Sequence, residues 1–393
     1  MQSDHYDIVI IGAGINGAGV SQAAAAMGYR CLLLEKNAHP GLETSSRSSK
    51  LIHGGLRYLE SFDLALVRES LHERELLLKL APDLVSLQTF NIPVYNYTGR
   101  SRLALHAGLS LYALLSGLQK HSFYHQLKPH HWEQLEGLTT KDLKAVFQYH
   151  DAQTDDQALT RAVLASAISL GAVYQCNAEM LQAEISEHQV TIRYQQDQAE
   201  KVVSSRVLVN ASGPWLYSVN QRIIPQPEML QPELVQGAHL VLKAPLQQAY
   251  YMEAPQNRRA VFLLPWKGHA LLGTTEQLYS GNPSAVKVLE QEKKYLLDTY
   301  RHYFPAGDTE VIAEMAGLRV LPVSAKAVFK RSRDIVLVTD QSDKPRLVSM
   351  LGGKLTVYRK NAIKVLQCLQ SSLPATRPIA DTEKLMINPV DSL

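Results

Sequence analysis

Residues Tyr6–Glu35, YDIVIIGAGINGAGVSQAAAAMGYRCLLLE, constrain the fold of this chain more than any other stretch. An apolar run, Ile8–Ile11, leads into Gly12, Gly14 and Gly17, spaced G-x-G-x-x-G. An Ala-rich segment from Ile15 to Met27 follows, and a second apolar run, Cys31–Leu34, ends in Glu35. The pattern predicts a buried parallel strand, a tight turn, a helix that stops at Gly28 and a second strand. Gly12 permits the turn, Gly14 admits a pyrophosphate to the backbone, and Gly17 lets the helix approach the strand. The helix N-terminus offers unpaired N–H groups and partial positive charge to phosphates. Glu35, ~20 residues beyond the glycines, is placed to accept hydrogen bonds from ribose hydroxyls. A lone G-x-G-x-x-G is a weak signal; with a strand on each side and the acid in place, it predicts a bound dinucleotide.

The chain has 393 residues, enough for two domains or for one domain with a large insertion. A composition of 46% hydrophobic and 20% charged residues is that of a globular protein. A net charge of +3 is too small to argue for nucleic acid as a partner. Cys31, Cys176 and Cys368 are too few and too scattered for a disulfide framework or a metal site, which points to a reducing, cytoplasmic compartment. Asp4, His5 and Asp7 precede the first apolar run, so the opening does not read as a signal peptide. No apolar stretch reaches the roughly 20 residues of a spanning helix.

Downstream, TSSRSSK (Thr44–Lys50) and LIHGGLRYLE (Leu51–Glu60) form a Ser/Gly-rich segment whose Leu51, Ile52, Leu56 and Tyr58 argue for a packed loop rather than a flexible one. Helical periodicity covers Leu64–Leu80 and stops at Pro82. Phe90–Tyr97 reads as a strand interrupted by Pro93. Arg100–Lys120 is apolar along one face, contains no acid and has basic flanks. It reads equally as an interfacial membrane helix and as a core-facing helix. His121, His125, Lys128, His130 and His131 lack metal-ligand spacing and read as a basic surface. A helix is expected over Gln157–Leu170, with Asp155 or Asp156 as N-cap. Short strands are expected at Val173–Cys176, Val190–Tyr194 and Val202–Val203, and another at Arg206–Asn210, running into ASGPW. From Gly237 the chain becomes strand-rich (His239–Leu242, Tyr250–Met252, Ala260–Pro265, Ala270–Thr275), as an antiparallel sheet walling a pocket would be. A charged helix is expected over Ser284–Tyr303, and strands at Val311–Pro322 and Asp334–Thr339. Leu347–Lys360, LVSMLGGKLTVYRK, is a second strand–Gly–helix junction, its helix beginning near Lys354.

Several of these motifs, TSSRSSKLIHGGLRYLE, NASGPW, LLGTTE, GLRVLP and LGGKLTVYRK, resemble segments of FAD-dependent glycerol-3-phosphate dehydrogenases of the glycine/D-amino-acid oxidase superfamily, over about Tyr6–Leu369. The resemblance implies an α/β fold: a Rossmann-like FAD-binding domain and a second, largely antiparallel β-sheet domain for substrate. The expected boundaries are 1–80, 145–230 and 312–375 for the first, 81–144 and 231–311 for the second, and 376–393 as a short tail. It implies FAD as cofactor, oxidation of glycerol 3-phosphate at C2 to dihydroxyacetone phosphate, hydride transfer to flavin N5, and quinone as electron acceptor. Peripheral contact with the inner face of the cytoplasmic membrane through 100–120, and a homodimer, are further expectations.

By motif, the cofactor residues are Gly12, Gly14, Asn16, Gly17, Glu35, Lys36, Thr44, Ser45, Ser46, Ser49, Lys50, Leu51, Gly213, Trp215, Gly353, Lys354, Leu355 and Thr356. A phosphate dianion calls for several fixed cations, and Arg57, Arg319, Arg333 and Lys354 sit in segments that match the family's site. His53, Tyr58 and His239 are three candidates for handling the hydroxyl proton; His239 reads equally as a structural residue. Arg57 and Arg319 complete the catalytic set. No metal is implied, and no His or Cys is placed to argue for a covalent flavin bond. The chain departs from the family in carrying Arg47 where small residues are usual and Glu276 where Asp is usual. Only about thirty residues follow Lys360, too few for the extra helical domain of family members. An FAD-dependent oxidase or dehydrogenase of another small anionic 2-hydroxy or amino acid is the alternative, and a non-enzymatic flavoprotein a third.

Overall fold

The computed structural model describes residues 4–56, 59, 63–228, 232–323 and 334–391. The chain passes back and forth between two sheets. The first passage lays down β1 (His5–Ile11), α1 (Ile15–Ala26) and β2 (Cys31–Leu34). The chain crosses to the second sheet for β3 (Leu51–Ile52), α2 (Leu64–Leu80), β4 (Val85–Tyr95), α3 (Arg102–Leu115), β5 (His125–Gln126) and β6 (Leu143–Thr154). It returns through α4 (Asp156–Ser169), β7 (Val173–Gln175), β8 (Ala178–Ile185), β9 (Val190–Gln196), β10 (Ala199–Asn210), α5 (Leu216–Asn220) and β11 (Ile223–Ile224). The second sheet then gains β12 (Pro232–Leu242), β13 (Ala249–Glu253), β14 (Ala260–Trp266), β15 (His269–Gly273), β16 (Gln277–Tyr279), α6 (Glu290–Tyr303) and β17 (Val311–Pro322). The chain ends its crossings with β18 (Val336–Thr339), β19 (Leu347–Leu351) and α7 (Tyr358–Leu369).

The first sheet runs β11-β8-β9-β10-β1-β2-β7, with β19 on β10 and β18 on β19. Strands β2, β1, β10 and β19 are parallel neighbours, while β8, β9 and the first half of β10 form an antiparallel meander. Side chains alternate across a strand, and β1 uses both faces. Ile8 and Ile10 pack under the helical layer of α1, α4 and α7, and Val9 and Ile11 against Met180, Ile192 and Tyr194 of the meander. Every residue of α1 except Asn16 is buried, so its small side chains are what let three helices share one face.

The second sheet runs β16-β12-β15-β14-β13-β4-β6-β3, with β17 on β12 and β5 on β6. Its pairings are antiparallel except β13 with β4. Leu296, Tyr300 and Tyr303 of α6 cover one part of it, and Val67, Leu71, Leu105, Leu109 and Tyr112 of α2 and α3 another.

This is the α/β architecture expected from sequence, with local differences. Pro93 does not interrupt its strand: β4 starts at Val85, and Pro93 sits opposite Val146 in the ladder. The segments at 202–203 and 206–210 are one strand, β10, whose two halves have different partners. The helix expected from Ser284 begins at Glu290, because Pro283–Ala285 make only a single 3-10 turn, Val286 and Leu289 are extended, and Glu292 reaches back to accept from the Leu289 N–H at 3.1 Å. Asp155 is the N-cap of α4, accepting from Ala158 N at 3.1 Å. Residues 143–154 and 311–322 pair into the second sheet, whereas the boundaries read from sequence assign most of both to the first domain. Helix α3 buries Leu105, Leu109, Tyr112 and Ala113 and leaves Leu103 and Leu114 exposed, so the core-facing reading holds for one side of it. No helix among the described residues is long and apolar enough to cross a membrane.

Candidate active site

Backbone geometry brings the two glycine corners together. Gly12 has φ +98, and a Cβ there would lie 2.9 Å from the Ala211 carbonyl oxygen on β10's exit. A Cβ at Gly17 would lie 1.9 Å from the Gly12 oxygen, so the helix can meet the turn only without a side chain. Gly14 is the N-cap of α1 and makes no side-chain capping bond. Ser45 Oγ accepts from Ile15 N at 2.9 Å, and the other first-turn N–H groups face the helix end that suits an anion. Asn16 reaches across the fold: its Nδ2 donates to Gly352 O at 3.1 Å, and Asn361 Nδ2 donates to its Oδ1 at 3.5 Å. Gly352 (φ +86) and Gly353 (φ +94) turn there, and a Cβ at Gly353 would stand 2.9 Å from Asn361 Nδ2.

Between the corners lies a cavity of about 940 Å³. Of the residues named from sequence, Gly12, Gly14, Asn16, Glu35, Lys36, Thr44, Ser45, Ser49, Leu51, Gly213, Trp215, Gly353, Lys354, Leu355 and Thr356 line it, and so do His53, His239 and Arg319. Gly17, Ser46 and Lys50 do not. Gly17 acts through the close approach just described. Ser46 Oγ donates to the Leu42 and Glu43 carbonyls, 2.8 and 3.0 Å away. Lys50 is buried against Asp156, Nζ to Oδ1 2.6 Å, and also donates to Ser46 O. That pair stiffens the serine loop from behind, and removing one partner of such a buried pair costs about 3–5 kcal/mol. Arg57, Tyr58 and Arg333 lie outside the described residues.

At one end, Glu35 accepts from Ala13 N at 2.7 Å and Asn37 N at 2.9 Å. Burial pushes its carboxyl above the usual range, and those two N–H groups pull it back. Lys36 Nζ sits 3.5 Å from the Trp215 ring centroid, and burial lowers its pKa. The turn that carries Gly213 and Trp215 is pinned by a buried amide network. Asn210 Nδ2 donates to Leu216 O and Asn220 Oδ1, at 3.1 and 2.7 Å, and Ser349 hydrogen-bonds to the same Asn220 oxygen. Sequence reasoning missed Asn220 and Asn361 and took Asp156 only as a candidate N-cap, because no local pattern marks a residue whose partner is far along the chain.

At the other end, His239 on β12 is buried, with Nε2 2.9 Å from Ser49 Oγ. It faces Gly273 across the ladder, where a Cβ would sit 2.1 Å from the imidazole. Burial, and then the nearby Arg319 and Lys50 charges, push its pKa down to about 3, so the ring is neutral at physiological pH. Arg319 on β17 donates from Nη1 to Glu276 Oε1 at 2.5 Å and from Nη2 to Thr274 Oγ1 at 3.3 Å. Lys354 Nζ donates to Ser70 Oγ on α2 at 3.3 Å. Arg47 also lines the cavity, its Cβ and carbonyl packed on Gly317 and its Nη1 donating to Ala316 O at 3.3 Å.

The glycine cradle, the open helix end and Glu35 are what a dinucleotide needs. Small-molecule pockets span roughly 300–1,000 Å³, and this one is near the top of that range, with room for a dinucleotide and a small substrate together. Residues 7–359 match the DAO family, described as FAD dependent oxidoreductase, and the chain belongs to it. Within that class it is similar to the glycerol-3-phosphate dehydrogenase of Synechocystis sp. PCC 6803, 34% identical over 97% of this chain and 73% of the relative. The aerobic glycerol-3-phosphate dehydrogenase of Escherichia coli K12 is 33% identical over 92% of this chain and 73% of the relative. The solved glycerol-3-phosphate dehydrogenase of Bacillus halodurans, complexed with FAD, has the same fold, with TM-score 0.73 at 24% identity over 95% of this chain and 66% of that one. So has the FAD-bound L-α-glycerophosphate oxidase of Mycoplasma pneumoniae, with TM-score 0.76 at 14% identity over 98% of this chain and 99% of that one. The chain thus spans about three quarters of the length of the two curated relatives and slightly less than two thirds of the solved dehydrogenase. FAD is the cofactor of this chain.

Proposed function

We propose that the chain oxidises sn-glycerol 3-phosphate at C2 to dihydroxyacetone phosphate, and that a quinone takes the electrons. FAD, when bound, supplies the hydride acceptor. The reading rests on one observation above all: two cations, Arg319 and Lys354, share a single cavity with a neutral buried histidine and the dinucleotide cradle. Curated relatives named glycerol-3-phosphate dehydrogenase agree with it.

In this reading Arg319 and Lys354 bind the phosphate, joined by Arg57 and Arg333 on motif grounds. His239 is the proton acceptor through Ser49: as the hydride leaves, the C2 hydroxyl gives its proton to Ser49 Oγ on the cavity wall, and Ser49 passes its own proton to Nε2, 2.9 Å away. A ring neutral at pH 7 has a lone pair to offer, and the substrate's phosphate dianion in the same cavity raises its basicity from the low value that burial, Arg319 and Lys50 impose. His53, beside the same cavity, helps orient the substrate, and Tyr58 keeps its place by motif. Anaerobic titration with glycerol 3-phosphate should bleach the flavin absorbance. An unchanged spectrum, with bleaching by a different acid, would overturn the substrate.

The acceptor end of the proposal includes peripheral membrane contact. Leu103 (79% exposed) and Leu114 (60%) on α3, and Leu118 (53%) beyond it, stand between Arg102 and Lys120, a pattern suited to an anionic lipid surface. Flotation with anionic liposomes tests this, and recovery solely in the unbound fraction would refute it.

A further inference from the structure

His53 lines the cavity, and its backbone is held from behind the wall. The ladder of β3 on β6 stops at Ile52. Beyond it, the His53 N–H donates to Thr356 Oγ1 at 3.3 Å, and the Gly54 N–H donates to the Tyr112 hydroxyl on α3 at 2.9 Å. Tyr112 in turn donates to Asp151 Oδ2 on β6 at 2.8 Å, and Asp151 Oδ1 accepts from Arg74 Nη1 on α2 at 2.8 Å. Tyr112, Asp151 and Arg74 are all buried, and none of them lines the cavity. Burial, and then the Asp151 charge, push the Tyr112 pKa up, so the hydroxyl keeps its proton at physiological pH. That proton is committed to Asp151, which leaves the oxygen to accept from Gly54. Donation to a carboxylate makes it a stronger acceptor. Burial raises the Asp151 pKa, and Arg74, Tyr112 and the Gly54 N–H each pull it back. The fit is close: a Cβ on Gly54 would stand 2.5 Å from Leu71 Cδ2 and 2.6 Å from the Tyr112 oxygen.

We propose that Tyr112, braced by Asp151 and Arg74, is a positioning residue for the reaction: it fixes the peptide that follows His53 and thereby sets where the imidazole stands against the bound substrate. The inference rests on His53 orienting the substrate, as read above. Misplacing an orienting group by about 1 Å, even through a change far from the chemistry, can cost about 10²-fold in rate. The cations read as binding the phosphate belong to other segments, Arg319 to β17 and Lys354 to the closing corner. A shift of His53 therefore disturbs the alignment of the substrate more than its binding, and the effect of Tyr112 falls on the limiting rate.

The test is stopped-flow anaerobic reduction of the holoenzyme by glycerol 3-phosphate, read as half-saturation and limiting rate. Tyr112→Phe keeps the ring and removes the oxygen that accepts from Gly54. Its limiting rate should fall about tenfold, with half-saturation within about threefold of wild type. His53→Ala should lower the limiting rate by about tenfold or more. Adding Tyr112→Phe to it should change that rate by less than about twofold, because residues that act through one group do not add. A merely structural tyrosine would cost the same factor in both backgrounds. Gly54→Ala displaces the same peptide by adding a methyl group 2.6 Å from the Tyr112 oxygen, and it replaces Tyr112→Phe in the cycle if that variant does not hold flavin. A limiting rate within about twofold of wild type, or an equal loss with and without His53, would overturn the inference. His53→Ala at the wild-type rate overturns the role of His53, and the inference with it. A wild-type spectrum that glycerol 3-phosphate leaves unchanged overturns the substrate reading alone, and the same cycle is then read with the anionic acid that does bleach the flavin.

Discussion

The two ends of the cavity are built by different means. The dinucleotide end is made of backbone: Gly12, Gly17 and Gly353 sit where a Cβ would collide at 2.9, 1.9 and 2.9 Å, and Asn16 ties the first corner to the last. The other end, where we propose that substrate binds, is made of side chains set by strand register: His239 opposite Gly273 and Met315, Arg319 opposite Val235. A steric cradle is all-or-none, whereas a charged wall can be adjusted one group at a time.

The sharpest way to break this contrast is Gly17→Val. With Gly12 O only 1.9 Å from the new Cβ, the helix must move, at a cost of about 3 kcal/mol or more. The purified protein should be colourless, read as the ratio of flavin to protein absorbance. His239→Asn should instead retain FAD and lose about 10²–10⁴-fold in the limiting rate of flavin reduction. It should also change acid stability. The buried ring titrates at about 3 rather than its ordinary 6.5. The unfolded chain therefore takes up the proton first as pH falls. Stability from this group is complete above 6.5 and is lost as pH falls toward 3, at up to about 1.4 kcal/mol per pH unit. Denaturant midpoints measured across that window should fall less steeply in the variant. Asn16→Ala removes the 3.1 Å bond between the corners and should weaken FAD binding about tenfold, for a loss of about 1–1.5 kcal/mol, measured by flavin fluorescence. The smallest effect is expected for Arg47→Ala, whose side chain is 34% exposed and 3.8 Å from Glu43. Stability should change by less than about 0.5 kcal/mol, and a larger loss in thermal melts would make the Gly317 contact structural.

The same contrast explains what could be read from the sequence. The opening strand–turn–helix–strand was legible residue by residue, because its constraints lie within thirty neighbouring positions. The closing Gly352-Gly353 corner was legible as a junction of the same kind. His239 and Arg319 were visible as residue types in matching motifs, but their environment was not: the depressed histidine and the Glu276–Arg319 pair depend on which strands pair. Ser46 and Lys50 show the reverse case. Motif proximity placed them on the ligand, and the fold turns their side chains toward the chain itself. Strand β10 was divided because its hydrophobic pattern changes where its partners change, from β9 to β1 and β19. Pro93 was given too much weight, although it sits in a strand that pairs through Tyr95.

The back-and-forth path of the chain bears on biosynthesis. The cavity wall takes residues from Ile11 to Thr356, so a nascent polypeptide cannot close around its prosthetic group until nearly all of that span has left the ribosome. Flavin loading is accordingly a late event, and chains stalled before Gly352 should emerge unable to retain it.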